Sequence, residues 1–599
     1  MADVGRHPRI KLHTLSEVVD VQGYVGNFEV RIVKKARYVV EKECTACGEC
    51  TKVCPVVQPD EFNMGLSSRR AIFTPFPQAV PSAYVININE CLGYNPSVCA
   101  KCIDVCDKGC INFHMSDEEI KERVGSIIVA TGMEPYDPTE LDEYGYTRFE
   151  NVVTSLELER LANAGGPSKG ELIRPTDRRR PASIGFIQCV GSRSARKGSS
   201  YCSNTCCMNT IKSTLALKEH YPDIDIKVFY IDIRAFGKGF EDLYLRSSRL
   251  GVHYIKGLPG TVEELSGGSL RVAVENTATG KLEFYDLVML VLAIGMQPAQ
   301  STQKLQEMLG LQLTPDGFFL EAHPKLLPVD AAARGVFYAG CAEAPKDIKE
   351  SVTQASAAVA RAIRLMHKGE ITTEPITAEV IPDLCKSCGK CAEVCPYHAI
   401  KVDIKKKTPA EVNAAACAGC GTCAAECPFD AIIMNHFTDA QISFQIDAML
   451  ADRAEEKILV FACNWCSYAG ADYAGVARIQ YPPNVRIIRT MCSGRVDDKF
   501  IWQAFLKGAP VVLVSGCHIG ACHYIDANHW TEKRIIKVRR RMEKLGLRPE
   551  RLQLEWISAA EGIRFAEIMH RMEKLRQEVS SQEIAETIEI LKNQKKNAA

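Results

Sequence analysis

The sequence contains neither a long apolar run nor an excess of charge of either sign. No stretch of about 18 consecutive apolar residues occurs, which argues against a membrane span. The 73 basic residues balance 73 acidic ones, so the composition gives no electrostatic support for nucleic-acid binding. The first residues also lack the charged-then-apolar pattern of a signal peptide. We therefore expect a cytoplasmic protein, and its 599 residues correspond to about four domains.

Cysteine, in contrast, is abundant, and most of the 27 cysteines fall in ligand-like runs. The pattern C-x2-C-x2-C-x3-C-P occurs at Cys44, Cys47, Cys50 and Cys54, at Cys385, Cys388, Cys391 and Cys395, and at Cys417, Cys420, Cys423 and Cys427. It is the ligand pattern of bacterial ferredoxins. Paired C-x2-C units also bind zinc, but four evenly spaced cysteines followed by proline favour iron-sulfur clusters. The sequence therefore predicts that this chain carries electrons, in a reducing compartment that keeps the thiolates intact.

In two-cluster ferredoxins the fourth cysteine of each run binds the neighbouring cluster. We therefore assign Cys427 to the first site of the C-terminal pair of runs and Cys395 to the second. The earlier module is irregular, because its second run consists of Cys91, Cys99, Cys102 and Cys106, and Asp107 stands where proline is usual. Its thiols still suffice for two clusters if Cys54 and Cys106 are exchanged. Cys110 is then left over, and we interpret it as a small buried thiol.

An α/β pattern surrounds the first module. Residues 10–40 alternate in polarity as strands do, and apolar strands are predicted at 125–132, 183–188, 226–231, 287–295 and 335–341. A helix is predicted from about Ser351 to Met366. The turn after the strand at 183–188 should carry G-x-G-x-x-G if it bound a nicotinamide dinucleotide. It instead reads Gln188 to Arg193, and we interpret Asp232, at the end of the next strand, as an ordinary strand-end residue.

Four further cysteines occupy that turn and the segment after it: Cys189, Cys202, Cys206 and Cys207. Spacing alone leaves a metal site and a structural group equally open. The position favours a cluster that has replaced a nicotinamide site.

In the last segment, strands at 458–461, 485–488 and 511–514 each run into cysteine. Because ligands gather beyond the carboxyl ends of parallel strands, we expect convergence of Cys463, Cys466, Cys492, Cys517 and Cys522.

Over about residues 7–440 the chain resembles the A-type subunits of heterodisulfide reductase. The resemblance depends on the Cys44 run, the segment 71–81, the turn at Gln188, the Cys202–Cys207 segment and Gly340-Cys341-Ala342. From about residue 455 the chain is similar to the small iron-sulfur subunit of the methyl-viologen-reducing hydrogenase. These resemblances imply five 4Fe-4S clusters, one 2Fe-2S cluster and FAD. The 2Fe-2S cluster needs four ligands, and the choice among the five C-terminal cysteines stays open.

The resemblance also implies a flavin site. Its expected elements are Ala130, Thr131, Gly132, Gly295, Gly340, Cys341, Ser351, Gln354 and Ala355. Cys341 replaces an aspartate of thioredoxin reductases and is expected to line the flavin site. Lys212 is a candidate for tuning the flavin near N5, and Arg193 is a candidate for a related charge role. The family's additional N-terminal domain and its own G-x-G-x-x-G turn are missing here. We expect a separate chain to supply that turn and share the FAD, the alternative being that the flavin is lost.

The predicted fold is α/β and multidomain: a thioredoxin-reductase-like flavoprotein core with an inserted two-cluster ferredoxin domain, a C-terminal two-cluster ferredoxin domain and a terminal α/β 2Fe-2S domain. The flavin-binding core would comprise 1–40, 116–178 and 298–372, and the nucleotide-binding-like domain with its cysteine cluster 179–297. The remaining domains would be the inserted ferredoxin at 41–115, the C-terminal ferredoxin at 373–440 and the 2Fe-2S domain at 441–599.

The resemblance implies an oxidoreductase subunit that distributes electrons at FAD, by bifurcation or confurcation. Its implied partners are heterodisulfide-reductase-like B and C subunits, ferredoxin, and a hydrogenase or formate dehydrogenase type subunit, in a multi-subunit complex that can be dimeric. Two alternatives are a subunit of a quinone-interacting, membrane-associated oxidoreductase and an iron-sulfur scaffold without flavin. A stand-alone nicotinamide disulfide reductase is disfavoured, because a redox cysteine pair beside flavin and a glycine-rich nicotinamide turn are both missing. Bifurcation itself depends on family analogy alone.

Overall fold

The computed structural model describes residues 2–93, 99–323, 325–370, 372 and 375–598. The predicted domain boundary at 372/373 therefore touches a residue outside the described part. The mixed α/β class predicted from the sequence is confirmed. Among the described residues, no helix combines the length and the apolar character needed to cross a membrane.

The first unit is an antiparallel sheet that carries an insertion. Strands Ser16–Tyr24, Asn27–Lys34 and Glu118–Val124 pair in that order. The first cysteine module is inserted between the second and third strands. It has little regular structure: helices Glu49–Val53 and Lys101–Asp104, the strand pair Gln58–Pro59 with Ser68–Arg69, and the strand pair Ile72–Phe73 with Val85–Ile86. Its core is formed largely by the cysteines themselves and by Val39, Ile72 and Ile86.

The second unit carries the predicted flavin turns on a four-stranded sheet in the order Glu321–His323, Leu327–Ala331, Val336–Tyr338 and Ile127–Val129. The last two strands are parallel. Helix Ile348–Lys368 lies against them and begins three residues before the predicted start at Ser351. The third unit is a five-stranded parallel sheet in the order Val152–Thr154, Met289–Ile294, Ser183–Val190, Asp225–Tyr230 and Val252–Lys256. Its central strands, Met289–Ile294 and Ser183–Val190, are mostly buried, whereas the edge strand Val252–Lys256 alternates buried and exposed residues.

Short elements complete these two units. The strand pair Met133–Pro135 with Met296–Pro298 connects them. An antiparallel sheet of Pro259–Glu264, Leu270–Asn276 and Lys281–Leu287 adjoins the parallel sheet. The helices of this part are Ala2–Arg6, Ser155–Ala162, Cys206–His220, Phe240–Arg249 and Thr302–Leu309.

The C-terminal half consists of a second cysteine module and a parallel sheet. The module contains helices Lys390–Glu393 and Thr422–Ala425, the strand pair Ala378–Val380 with Ile432–Met434, and the strand pair Ile400–Lys401 with Glu411–Val412. The sheet has the order Val485–Thr490, Ile458–Cys463, Val511–Gly516 and Leu552–Trp556. Apolar cores on both of its faces are covered by helices Asp439–Met449, Ser467–Val476, Asp498–Leu506, Ala527–Lys544, Gly562–Glu578 and Ser581–Ala598.

Candidate redox site

In the C-terminal module the structure brings the cysteines together in the exchanged grouping. Cys391 interacts with Cys385, Cys388 and Cys427, whereas the buried Cys423 interacts with Cys395, Cys417 and Cys420. Backbone amides point at the sulfurs: Ala410 N lies 3.4 Å from Cys385 Sγ and Ala431 N lies 3.4 Å from Cys427 Sγ. Hydrogen bonds of this kind are among the features that set cluster potentials. The donor set therefore suits two iron-sulfur clusters.

Burial favours the protonated form of these thiols when no metal is bound. It raises the pKa of Cys420 to about 12 and that of Cys391 to about 11. A bound metal would deprotonate such thiols directly. No group of three metal-ligating side chains within the described ranges is arranged to hold a single ion. A 4Fe-4S cluster is wider than one ion, and its four thiolates bind different iron atoms.

The first module shows the same exchange. Cys106 lines one cavity with Cys44, Cys47 and Cys50. In the other group Cys91 interacts with Cys54 and Cys99, and Cys102 interacts with Cys91 and Cys54. Cys110 lines the first cavity too, although the spacing of the runs predicted no ligand role for it. The irregular spacing of the second run therefore does not prevent two four-thiol groups.

The four cysteines from Cys189 to Cys207 converge at the carboxyl edge of the five-stranded sheet. Cys206 interacts with Cys189, Cys202 and Cys207, and its thiol donates to the Ile294 carbonyl at 3.6 Å. Cys189 adopts a left-handed conformation (φ 59°) within an irregularity of its strand between Ile187 and Val190. The adjacent residues Cys206 and Cys207 both lie in the first helical turn and still contact the group. Burial raises the pKa of Cys189 to about 11, and a bound metal would deprotonate this thiol as well.

The loop that carries these cysteines is fixed by a close contact with Gly295. Ser192 and Ser203 share a hydrogen bond of 2.6 Å, and a Cβ on Gly295 would come within 2.2 Å of the Ser192 hydroxyl. The glycine expected as a flavin element thus makes room for the cysteine loop. Arg193 and Asp232 form an ion pair of 2.8 Å beside Cys189. Sequence reasoning treated these two residues separately and did not predict the pair.

The predicted flavin turns lie side by side. Parallel pairing of Val129 with Tyr338 brings the turn Ala130–Gly132 next to the turn Gly340–Ala342. Both Gly132 (φ 76°) and Gly340 (φ 70°) are left-handed. Cys341 directs its thiol at the Lys346 carbonyl, 3.4 Å away.

The following helix adds Ser351, Gln354 and Ala355 to this site. A capping box of Asp347 and Glu350 fixes its start. The Gln354 amide donates to Glu343 at 3.1 Å, but its carbonyl oxygen is buried without a partner among the described residues. This oxygen could accept a hydrogen bond from a bound ring such as a flavin. Asn204 Nδ2 donates to Glu350 at 3.0 Å, which links the helix to the loop carrying Cys202 and Cys206.

The ion pair that Lys212 forms does not involve these turns. Its side chain is 71 % exposed, and its Nζ lies 3.1 Å from Glu159. The assignment of Lys212 to flavin tuning therefore stays a prediction.

The five C-terminal cysteines meet beyond the carboxyl ends of the parallel strands. Cys492 interacts with Cys463 and Cys522, Cys463 Sγ lies 3.9 Å from Cys517 Sγ, and the sulfurs of Cys466 and Cys517 lie next to each other. Cys492 also packs in one buried group with Cys420 of the preceding module and with Tyr524. Tyr524 interacts with both Cys492 and Cys420, so the last two cysteine groups share one buried cluster.

Comparison with family models gives two matches. The model described as methyl-viologen-reducing hydrogenase, delta subunit, matches residues 458–578. The model of a 4Fe-4S dicluster domain matches residues 384–431.

Comparison with known proteins identifies similar chains in methanogenic archaea. The chain is 42 % identical over 581 residues to the A subunit of ferredoxin/F420H2-dependent CoB-CoM heterodisulfide reductase from Methanosarcina acetivorans, covering 97 % of this chain and 72 % of that protein. It is 47 % identical over 456 residues to the A subunit of H2:CoB-CoM heterodisulfide,ferredoxin reductase from Methanothermobacter thermautotrophicus, covering 76 % and 68 %. Among solved structures, thioredoxin reductase of T. acidophilum aligns with a TM-score of 0.28 at 12 % identity, covering 43 % of this chain and 70 % of that one.

Proposed function

This chain belongs to the family of heterodisulfide reductase A subunits, and we propose that it distributes electrons within a heterodisulfide-reductase-like complex. The electrons would pass between a hydrogenase or formate dehydrogenase type donor, ferredoxin, and a disulfide or other acceptor subunit, by bifurcation or confurcation. B and C type subunits would be its neighbours, in a reducing cytoplasm. The division into seven segments given above is part of this proposal.

The observation that carries the proposal is the buried cluster that contains both Cys420 and Cys492, together with Tyr524. It joins the C-terminal ferredoxin module to the hydrogenase-subunit-like domain through buried side chains. A scaffold without electron transfer would not require these two cysteine groups to pack together.

We assign the cysteine groups to five 4Fe-4S clusters and one 2Fe-2S cluster. Bound clusters would supply one-electron carriage, and a bound FAD would supply two-electron chemistry. The ligands would be the two exchanged groups of each module, the Cys189–Cys207 group and four of the five C-terminal cysteines. The protein's own contribution is to bury the thiols and to direct backbone amides at the sulfurs, as at Cys385 and Cys427.

For the flavin we propose the turns at Gly132 and Gly340, with the unpartnered carbonyl oxygen of Gln354 as an acceptor. A helix N-terminus at Ile348 would favour negative charge on the reduced ring. Lys212 is proposed to tune the ring potential. A shift in flavin potential in Lys212→Gln, absent in Lys218→Gln on the same helix, would support that role, whereas equal potentials would exclude it.

The pyrophosphate cradle would come from polypeptide outside this sequence. In the described part of the chain, strand Ile127–Val129 pairs on one side only, and Ile128 is 39 % exposed at that edge. The neighbouring helix also presents an exposed apolar stripe: Ile348, Val352, Val359, Ile363 and Met366. A glycine-rich strand-turn-helix unit could pair with the open edge and cover this stripe.

Anaerobic purification with all copurifying chains tests the proposal. We expect close to 22 iron atoms per chain, from five clusters of four and one of two, together with FAD and a chain bearing G-x-G-x-x-G after a strand. If the copurifying assemblies contain iron and none of them contains flavin, the scaffold alternative is favoured. A haem or quinone-binding membrane subunit would favour the quinone-interacting one.

A matched pair of variants tests the shared flavin site. Val352→Glu places a charge on the apolar stripe, and Ile404→Glu places one at an equally exposed residue of the ferredoxin module; both residues are 61 % exposed. We expect Val352→Glu alone to lose FAD and the copurifying chain. Retention of both in Val352→Glu would contradict the proposed docking of that chain.

A further inference from the structure

Cys110 is a ninth thiol in a module that needs eight. Its side chain is only 4 % exposed, and its Sγ lies 3.4 Å from Cys106 Sγ. It also interacts with the thiol of Cys44. Together with Cys44, Cys47, Cys50 and Cys106 it lines a single cavity. Five thiols therefore face a site that four would complete.

The other module of the same chain shows that nothing structural demands a thiol there. Cys110 follows Cys106 by four residues, and the corresponding residues after Cys395 and Cys427 are Ala399 and Ala431. The backbone is alike in both settings, because the amide of Ala431 points at Cys427 Sγ and the amide of Cys110 points at Cys106. Alanine fills this position twice in the chain. What Cys110 adds is its sulfur.

We propose that Cys110 is an alternative fourth ligand for the cluster of Cys44, Cys47 and Cys50, interchangeable with Cys106. This inference rests on the proposed function, in which that group binds a 4Fe-4S cluster. In the exchange, the Cys110 sulfur forms a bond to iron as the bond from the Cys106 sulfur breaks, and the Cys110 proton passes to Cys106. No electron is transferred, and the total charge is unchanged.

The exchange would give the cluster two ligand states. In each state the thiol that is not bound to iron lies next to the thiolate that is, where it can donate a hydrogen bond. Because hydrogen bonds to the sulfurs and solvent exposure set cluster potentials, the two states would differ in potential. The described residues of the C-terminal module offer no such thiol, so its two clusters would each have one state.

The test compares four variants of the full chain, purified anaerobically with its partners: Cys106→Ala, Cys110→Ala, the double variant, and Cys427→Ala. Cys427→Ala is the matched control, because Ala431 offers no replacement sulfur. The measurements are iron per chain and the EPR spectrum of the oxidised protein. Intact 4Fe-4S clusters are diamagnetic when oxidised, whereas a cluster that loses one iron becomes 3Fe-4S and gives a signal.

We expect Cys106→Ala and Cys110→Ala each to keep the wild-type iron content without a 3Fe-4S signal. Cys427→Ala and the double variant should each lose from about one to four iron atoms. If Cys106→Ala loses as much iron as Cys427→Ala, or shows the same signal, Cys110 is not a ligand. If the wild type itself lacks cluster iron, the proposed function fails, and this outcome is distinct from the first.

Discussion

Arg534 of the hydrogenase-subunit-like domain is buried and forms an ion pair with the partly buried Glu426 of the ferredoxin module. The Arg534 Nη2 atom lies 2.6 Å from Glu426 Oε1, and the guanidinium also donates to the carbonyls of Gly494 and Val496. Arg534 is only 7 % exposed. Glu426 directly precedes Cys427, and Gly494 follows Cys492 by two residues. One side chain thus holds together the segments that carry two cysteine groups.

The first prediction concerns this pair. Arg534→Met should leave the partly buried Glu426 carboxylate without its partner and two carbonyls without their donor, at a cost of about 1–3 kcal/mol in local stability. Hydrogen exchange of the full chain should show faster exchange at residues 422–427 and 492–496.

Lys507→Met provides the control, because Lys507 and Asp447 form an ion pair of 3.1 Å with both side chains more than a third exposed. Its cost should be about 0–1 kcal/mol. Equal exchange in the two variants would mean that Arg534 does not hold the two units together.

The second prediction concerns the glycine beneath the Cys189 loop. Gly295→Ala would place its Cβ 2.2 Å from the Ser192 hydroxyl and should cost about 1–3 kcal/mol by overpacking. We expect a lower melting temperature and loss of iron from the Cys189–Cys207 group. Adding Ser192→Ala should recover part of both. Gly260→Ala, in the same half of the chain, has no atom within 4 Å of the added carbon and should behave as wild type.

Local features of this chain could be predicted from its sequence, whereas contacts between distant residues could not. The strands, the cysteine spacing and the convergence of the last five cysteines follow from patterns that repeat locally or from the rule for parallel sheets. The helix start at Ile348 was missed although Asp347 and Glu350 form a recognisable capping box. The Arg534–Glu426 pair joins residues 108 positions apart, and no local pattern marks either residue as buried.

The third prediction is a pH dependence from Glu573. Hydrogen bonds from Arg576, and also from Asn484 and Gln577, lower the pKa of Glu573 to about 2. A carboxylate with a lowered pKa stabilises the fold fully above its unfolded value, near 4.5, and this contribution is lost as the pH falls toward 2.

Glu573→Gln should therefore be less stable than wild type at pH 7, and the difference should shrink below about pH 4.5. Urea unfolding of the wild type and of Glu573→Gln at each pH measures this difference. Acid effects on bound clusters are common to the two proteins and therefore cancel. Glu567→Gln, at an exposed position of the same helix, is the control and should differ little from wild type at pH 7. A constant difference for Glu573→Gln would contradict the assignment.

The fourth prediction follows from the buried cluster that Cys420 and Cys492 share. Arg495, three residues after Cys492, is 1 % exposed, donates to the Phe437 carbonyl at 3.1 Å and pairs with Asp439. Its side chain also lies where a Cβ on Gly421 would come within 2.6 Å. The Arg495 side chain, which belongs to the turn after Cys492, therefore packs against the turn after Cys420. With clusters bound at both groups, the fully reduced protein should show EPR signals broadened by magnetic interaction.

Arg495→Met should weaken this broadening while iron per chain stays unchanged, because the variant removes the contact between the turns and no ligand. Arg551 offers a control for burial alone, since it is also 1 % exposed but donates to Pro510 and Thr587 within its own domain. Arg551→Met should lower the melting temperature and leave the broadening intact. If both variants change the spectrum equally, general destabilisation explains the effect. If neither does, the packing of Arg495 against the turn after Cys420 does not couple the two clusters.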